Sequence, residues 1–216
     1  MAVVLAVRPA QATLSLLVLA GGRTGCIGVD LSSGGLVMAQ WPAASTPVPK
    51  LERYVVGSAA RVVHGDTDFD LDPLRDPLRD PLRPDAIAVE RPLVPVGRLR
   101  RRTAERYLRP LLLSPRQHML SFAGMSVPYW TVAGDRPSLC LVEPAGGLVV
   151  TPERTVRFAW RGVRHDLPLA RAPRTLRPLS GAALADSLGF LPRRVLVALS
   201  APRAGLCHKL APALLP

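Results

Sequence analysis

Aromatic residues are scarce. Phe, Trp and Tyr make up 5% of the 216 residues, so a core must be built mainly from Leu, Val and Ala. Lysine is nearly missing: Lys50 and Lys209 stand against 26 arginines. Cysteine is sparse and odd in number, at Cys26, Cys140 and Cys207. Three thiols do not make a disulfide scaffold, so reduced, buried side chains are expected. No apolar run approaches the roughly 18 residues that a membrane-spanning helix needs. The motifs G-x-S-x-G, H-E-x-x-H and C-x-x-C and a phosphate-binding P-loop are also lacking, and with them the common signatures of hydrolase, metalloprotease, redox and nucleotide sites. Gly21-Gly22 and Gly34-Gly35 do not have the context of a dinucleotide fold.

What is present suffices for a folded protein. Apolar residues are 48% of the chain and the mean hydropathy is +0.20, which excludes wholesale disorder. The net charge is +12, and two windows carry it. Residues 91–116 hold eight Arg against Glu105, and residues 154–178 hold seven Arg against Asp166. A GC-rich genome explains Arg in place of Lys but not the excess over acids. Basic patches of this kind attract phosphates, anionic lipid or an acidic partner, or simply form a solvated surface. Residues 66–85 have the opposite sign, with seven Asp against three Arg.

The N-terminus admits two readings. The apolar stretch Thr13–Ala20 behind Arg8, ending in Val18-Leu19-Ala20, has the outline of an export signal. Pro9 and the apolar start Ala2–Val7 fit a buried first strand instead. A buried strand in a cytoplasmic protein is the expectation, and export the alternative.

Along the chain, residues 12–20 read as a strand. Residues 26–31 and 36–41 flank Ser32-Ser33-Gly34-Gly35, a strong turn. This pairing sets Leu31 opposite Leu36 and Val29 opposite Met38, all on one face. Residues 42–50 read as a loop, and 53–63 as one or two strands. From Asp72 to Arg83 the sequence Asp-Pro-Leu-Arg occurs three times in succession. A proline every four residues forbids a continuous helix or a central strand, so 66–85 is expected to be an exposed linker or insertion. Residues 86–90 form a short strand.

The spacing predicts a helix over 98–109, with Ala104, Tyr107, Leu108 and Leu111 on one side. Arg98, Arg102, Arg106 and Arg109 form a row on the other. Like charges at i, i+4 cost about 0.2–0.5 kcal/mol per pair, which Glu105 relieves in part through Arg101 and Arg109. The Asp-rich stretch at 66–72 is a candidate neighbour for the row. Further strands are expected at 117–122, 126–133, 138–143, 147–151, 154–160, 163–168 and 193–199. Helices are expected at 181–189, closed by Gly189, and at 203–215. The clearest element is the hairpin turning at Arg161-Gly162. Trp160 faces Val163, Phe158 faces His165 and Val156 faces Leu167 on a buried side. Arg157 faces Asp166, and Ala159 faces Arg164, on a wet side that places Arg161 and Arg164 at the tip.

The remaining constellations are weak. Asp66, Asp68, Asp70 and Asp72 alternate but fail the EF-hand pattern at Leu71 and Pro77, so no metal is expected. His165 reads as a packed core histidine. A nucleophile site of Cys140, His118 and Asp135 has nothing in the sequence to assemble it. Cys207 precedes His208, but adjacent side chains point apart. Tyr129 and Trp130 beside Pro128 suit base stacking, yet in so aromatic-poor a chain Trp130 reads as core.

The expected fold is α+β, mainly antiparallel β in a meander or small barrel-like sheet, with two or three short helices. One domain, 1–216, is expected, with division into 1–65 and 86–216 as the alternative. The expected function is a non-enzymatic, arginine-rich module that binds a polyanion, RNA or DNA. Its phosphate-binding residues would be Arg98, Arg102, Arg106, Arg109, Arg157, Arg161 and Arg164. No cofactor is expected. An interaction subunit docking on an acidic protein is the first alternative, and an enzyme with a site drawn from scattered Cys, His and Asp the second.

Overall fold

The computed structural model describes residues 13–41, 51–60, 84–132 and 136–216. The Asp-Pro-Leu-Arg repeats, the alternating aspartates and Asp135 lie outside these residues.

Three sheets carry the chain. The first, in the order β5-β3-β2-β1-β4-β6, comprises β1 (Thr13–Gly21), β2 (Gly25–Asp30), β3 (Leu36–Gln40), β4 (Val55–Ala60), β5 (Ala86–Ala88) and β6 (Val94–Arg98). The second comprises β7 (Ser126–Pro128), β8 (Leu139–Val142), β13 (Arg194–Leu199) and β14 (Leu206–Leu215), in the order β7-β14-β13-β8. The third comprises β9 (Val149–Val150), β10 (Thr155–Trp160), β11 (Val163–Pro168) and β12 (Leu179–Ser180), in the order β11-β10-β9-β12. Pairing is antiparallel except between β3 and β5. Two short helices, α1 (Arg101–Leu108) and α2 (Gly181–Leu188), complete the regular structure. The protein is α+β, mainly antiparallel β. No helix among the described residues is long and apolar enough to cross a membrane.

The second sheet is the middle layer. All six residues of β13 are buried, and they alternate between two cores. Val195, Val197 and Leu199 enter a cluster with Phe158, Trp160, Leu167 and Leu184 from the third sheet and α2. Leu196 and Ala198 enter a second cluster with Leu17, Leu19, Ile27 and Val29 from the first sheet and Ala104 and Leu108 from α1. This cluster joins residues from both sides of the Asp-rich stretch. The reverse face of the first sheet carries a third cluster, with Leu14, Leu16, Val18 and Trp41.

Residues 13–21 form a strand, buried over most of its length. β1 and β2 approach so closely at Gly28 that a Cβ there would lie 2.3 Å from the Leu17 carbonyl oxygen. The β2–β3 hairpin forms around the expected turn, but Val29 pairs with Leu36 and Ile27 with Met38, two residues from the sequence-based register. The Asp30 carboxylate moves the closure back. It accepts hydrogen bonds from the Ser32 amide at 3.0 Å and from the Ser32 and Ser33 hydroxyls at 2.7 and 3.1 Å. A slip of two preserves parity, so Val29, Leu31, Leu36 and Met38 still share one face.

Several expected elements change type or extent; 126–133, for one, is a strand only over Ser126–Pro128 and then a 3-10 turn over Tyr129–Thr131. Residues 117–122 are not a strand: Met119–Ser121 is a 3-10 turn in which Leu120 and Ser121 have φ of 55° and 62°, which a pleated strand cannot hold. Residues 203–215 are not a helix but the long strand β14. The backbone bulges between its pairings with Leu196 and Ala198, and Pro212 falls in that irregularity, where its missing N–H costs no ladder bond. The helix expected from residue 98 begins at Arg101, because Val94–Arg98 pairs with β4 as an edge strand.

Asp85 fastens the first layer to the second. Its carboxylate accepts from the Ser138 amide and hydroxyl and the Leu139 amide at 2.6, 3.0 and 3.1 Å. Its own carbonyl accepts from the Met38 amide at 2.8 Å. Substituting Asp85→Ala strands two buried amides and is expected to cost about 2–4 kcal/mol. Asp85→Asn keeps an acceptor and should cost less. Urea unfolding of the two variants checks this ranking.

Candidate anion-binding cavity

The β10–β11 hairpin has the expected register, from Thr155 opposite Pro168 to Trp160 opposite Val163. Arg161 and Gly162 both take positive φ, 54° and 74°, as a two-residue turn matched to strand twist requires. Val156, Phe158, Trp160, His165 and Leu167 are buried. Val163, expected beside them, is 58% exposed. The reason is a cavity at the hairpin tip, of about 280 Å³, which Val163 lines.

β11 is the edge strand of its sheet, and the cavity opens between this edge, β14 and the loop after His118. Its ionisable lining is His118, Arg161, Arg164, His165 and Lys209, with no carboxylate. Met119, Met125, Trp160 and Val163 supply apolar wall.

Lys209 builds the far side. The side chain is 1% exposed. Its ammonium donates to the carbonyls of Phe122, Ala123 and Gly124 at 2.7, 3.3 and 2.7 Å and lies 4.0 Å from the centre of the Phe122 ring. A tetrahedral ammonium suits three carbonyls of successive residues, whereas a planar guanidinium does not. That geometry accounts for a lysine in a chain of arginines. Trp160 pins the start of the same loop, donating from Nε1 to the Gln117 carbonyl at 2.9 Å. Between the pins lie Leu120 and Ser121, two left-handed non-glycine residues that follow Met119 of the cavity wall. Backbone strain of this kind concentrates at functional sites.

Burial sets the ionisable groups first, and neighbouring positive charge adds to it at the two histidines. His118 is held below its ordinary range by desolvation, then by Arg161 and Lys209. His165 is lowered by burial and then by Lys209, and it stacks on Phe158 with ring centres 5.9 Å apart. Burial pushes Lys209 down to about 8, with Cys140 acting the other way.

Of the seven arginines named from the sequence, the structure brings only Arg161 and Arg164 to this cavity. Arg157 is engaged: its Nε lies 2.7 Å from Asp166 Oδ1, and the Arg164 Nε is 3.6 Å from Oδ2 of the same carboxylate. Arg98 leaves the helical row, because it closes β6 and pairs with Glu52 at 3.3 Å. Arg102, Arg106 and Arg109 are exposed on the α1 side of the middle sheet, opposite the hairpin. Glu105 does not relieve them. It lies 2.8 Å from Arg194, whose Nε also bonds Glu143 at 2.9 Å.

The aromatic pair corrects the sequence reading. Trp130 is not core but 68% exposed, and Tyr129 is 45% exposed. Their rings meet edge to face at 5.3 Å. The indole packs on the backbone of Gly205, where a Cβ would come within 3.3 Å.

The thiols offer no poised nucleophile. All three cysteines are buried, and burial pushes Cys26 and Cys140 up to about 12. Among the described residues no group of His, Cys, Asp or Glu is arranged to hold a metal ion. Comparison with protein-family models, curated proteins and solved structures finds no match to this chain.

Lys209→Met removes the donor from three carbonyls and is expected to lower stability by about 2–4 kcal/mol. The pH dependence isolates the charge. With its folded pKa near 8 against 10.5 for the free side chain, the unfolded chain holds this proton between those values and the folded chain releases it. Stability contributed by Lys209 therefore rises with pH across that window. The difference in unfolding free energy between the parent and Lys209→Met should widen from pH 8 upward. A difference that narrows would show that the carbonyls outweigh burial.

Proposed function

We propose that this protein is a non-enzymatic binding module for a polyanion, RNA or DNA, and that the cavity at the hairpin tip receives a backbone phosphate. One observation carries the reading: a cavity of about 280 Å³ whose ionisable lining is wholly basic. Arg161 and Arg164 supply planar guanidinium forks, which bind phosphate oxygens bidentately. Lys209, spent on three carbonyls, contributes its field and holds the loop that forms the wall. The exposed Tyr129–Trp130 pair supports the reading, since aromatic faces stack unpaired bases.

The row Arg102, Arg106 and Arg109 is a second basic surface. The middle sheet separates it from the cavity, so one phosphate run cannot bridge both directly. Exposed arginines that pair with no carboxylate among the described residues also suit docking on an acidic protein.

Fluorescence anisotropy with labelled single-stranded RNA and duplex DNA tests the assignment. Affinity should fall steeply with salt, and Arg161→Ala combined with Arg164→Ala should reduce the magnitude of the salt slope by about 2. Arg102→Ala combined with Arg106→Ala should leave the fold intact and weaken binding less. A parent that binds neither probe, or a cavity double variant that binds as well as the parent, overturns the reading. A stoichiometric acidic protein that copurifies after nuclease treatment assigns the helix row to protein docking.

A further inference from the structure

A second cavity lies away from the hairpin tip, between the end of β1 and the layer formed by α2 and the end of β11. It has a volume of about 230 Å³. Leu19, Leu51, Leu169, Leu188, Phe190 and Leu214 give it an apolar wall. An adjoining cavity of about 270 Å³ shares Ala20, Gly21, Arg171 and Pro212 with it, so the space continues beyond the first chamber.

Arg53 sets one end of this space. Its guanidinium carbon lies over the Phe190 ring, 4.0 Å from the centroid. Its Nε is buried and donates to nothing, and no ion pair engages the group among the described residues. A half-buried cation without an acceptor is costly. The neighbouring carboxylate, Glu52, also lines the cavity but is turned to Arg98 at 3.3 Å. Arg171 is exposed and lines both chambers.

We propose that this cavity binds an amphiphilic monocarboxylate, with the carboxylate on Arg53 and the apolar chain along the leucine wall. An uncharged apolar ligand would leave the guanidinium unpaired. A dianionic phosphate would bring a second charge close to Glu52, whereas a single carboxylate matches the buried guanidinium of Arg53 and leaves Arg171 to the solvent. Size sets the length. A cavity of about 150 Å³ accepts benzene, so 230 Å³ accommodates about nine or ten heavy atoms, the size of octanoate, and longer chains extend into the second chamber.

Isothermal titration of the full chain with octanoate and, separately, with 1-octanol tests the proposal. Octanoate should bind more tightly than the alcohol by about tenfold or more. Arg53→Met, which keeps an apolar stem over Phe190, should bring octanoate down to the affinity of the alcohol, with circular dichroism confirming the fold. The comparison of the two ligands on the parent protein needs no variant. Equal affinity for octanoate and octanol, no binding of octanoate up to millimolar concentration, or a folded Arg53→Met that binds octanoate like the parent would each overturn the assignment.

Discussion

Burial of both faces of β13 organises the molecule. A strand covered on one side alternates apolar and polar residues. Here Val195, Leu196, Val197, Ala198 and Leu199 are all apolar and all buried, so the sheet that contains them must be sandwiched. One face takes the third sheet and the other takes the first sheet with α1. Each layer therefore has an outer surface, and the basic windows of the sequence fall on two different ones. The chain does not present its net charge of +12 as one patch.

The polar groups left inside this arrangement are used as fasteners. Asp85 joins the first layer to the second through the backbone amides of Ser138 and Leu139, where β8 begins. Arg194, at the start of β13, holds Glu105 of α1 and Glu143 beyond β8. Lys209 of β14 holds the loop over the third layer. Each places a charge where a hydrogen-bonding partner is fixed, and an unpaired charge in the same place would be strongly unfavourable. Arg53 departs from that pattern: its Nε, like the Tyr54 hydroxyl and His165 Nδ1, is buried without a hydrogen-bond partner, and of the three it alone belongs to a cation. The fasteners satisfy the protein internally, whereas Arg53 leaves donors for something else.

The two cavities differ in the same physical terms. At the hairpin tip several positive groups converge on a space with no carboxylate in its lining, which favours a strongly anionic group from a larger molecule. The cavity by Phe190 has one buried guanidinium, a carboxylate nearby and a leucine wall, which favours a single charge on an apolar body. Electrostatics thus separates the two proposed ligand classes.

Local rules were enough where an element closes on itself. The β10–β11 hairpin was legible in register and in every buried position but Val163, because a two-residue turn fixes register and strict alternation fixes the faces. Gly189 at φ 74° ended α2 where a C-terminal glycine should. The β2–β3 turn was found with its faces right and its register two residues out, because the Asp30 side chain chose the closure. Residues 203–215 were misread because Leu206, Leu210 and Leu214 satisfy a helical spacing as well as a strand, and only pairing with β13 decides between them. Trp130 was misread because scarcity of aromatics says nothing about where one of them points. The cavity at the hairpin tip depends on Lys209 meeting Phe122, Ala123 and Gly124 across more than 80 positions. By itself, then, the sequence determined a basic, β-rich chain and its self-closing turns. The tertiary structure decided which arginines share a surface, which aromatics face solvent and where charge meets a cavity, because those depend on contacts between segments with no local pattern in common.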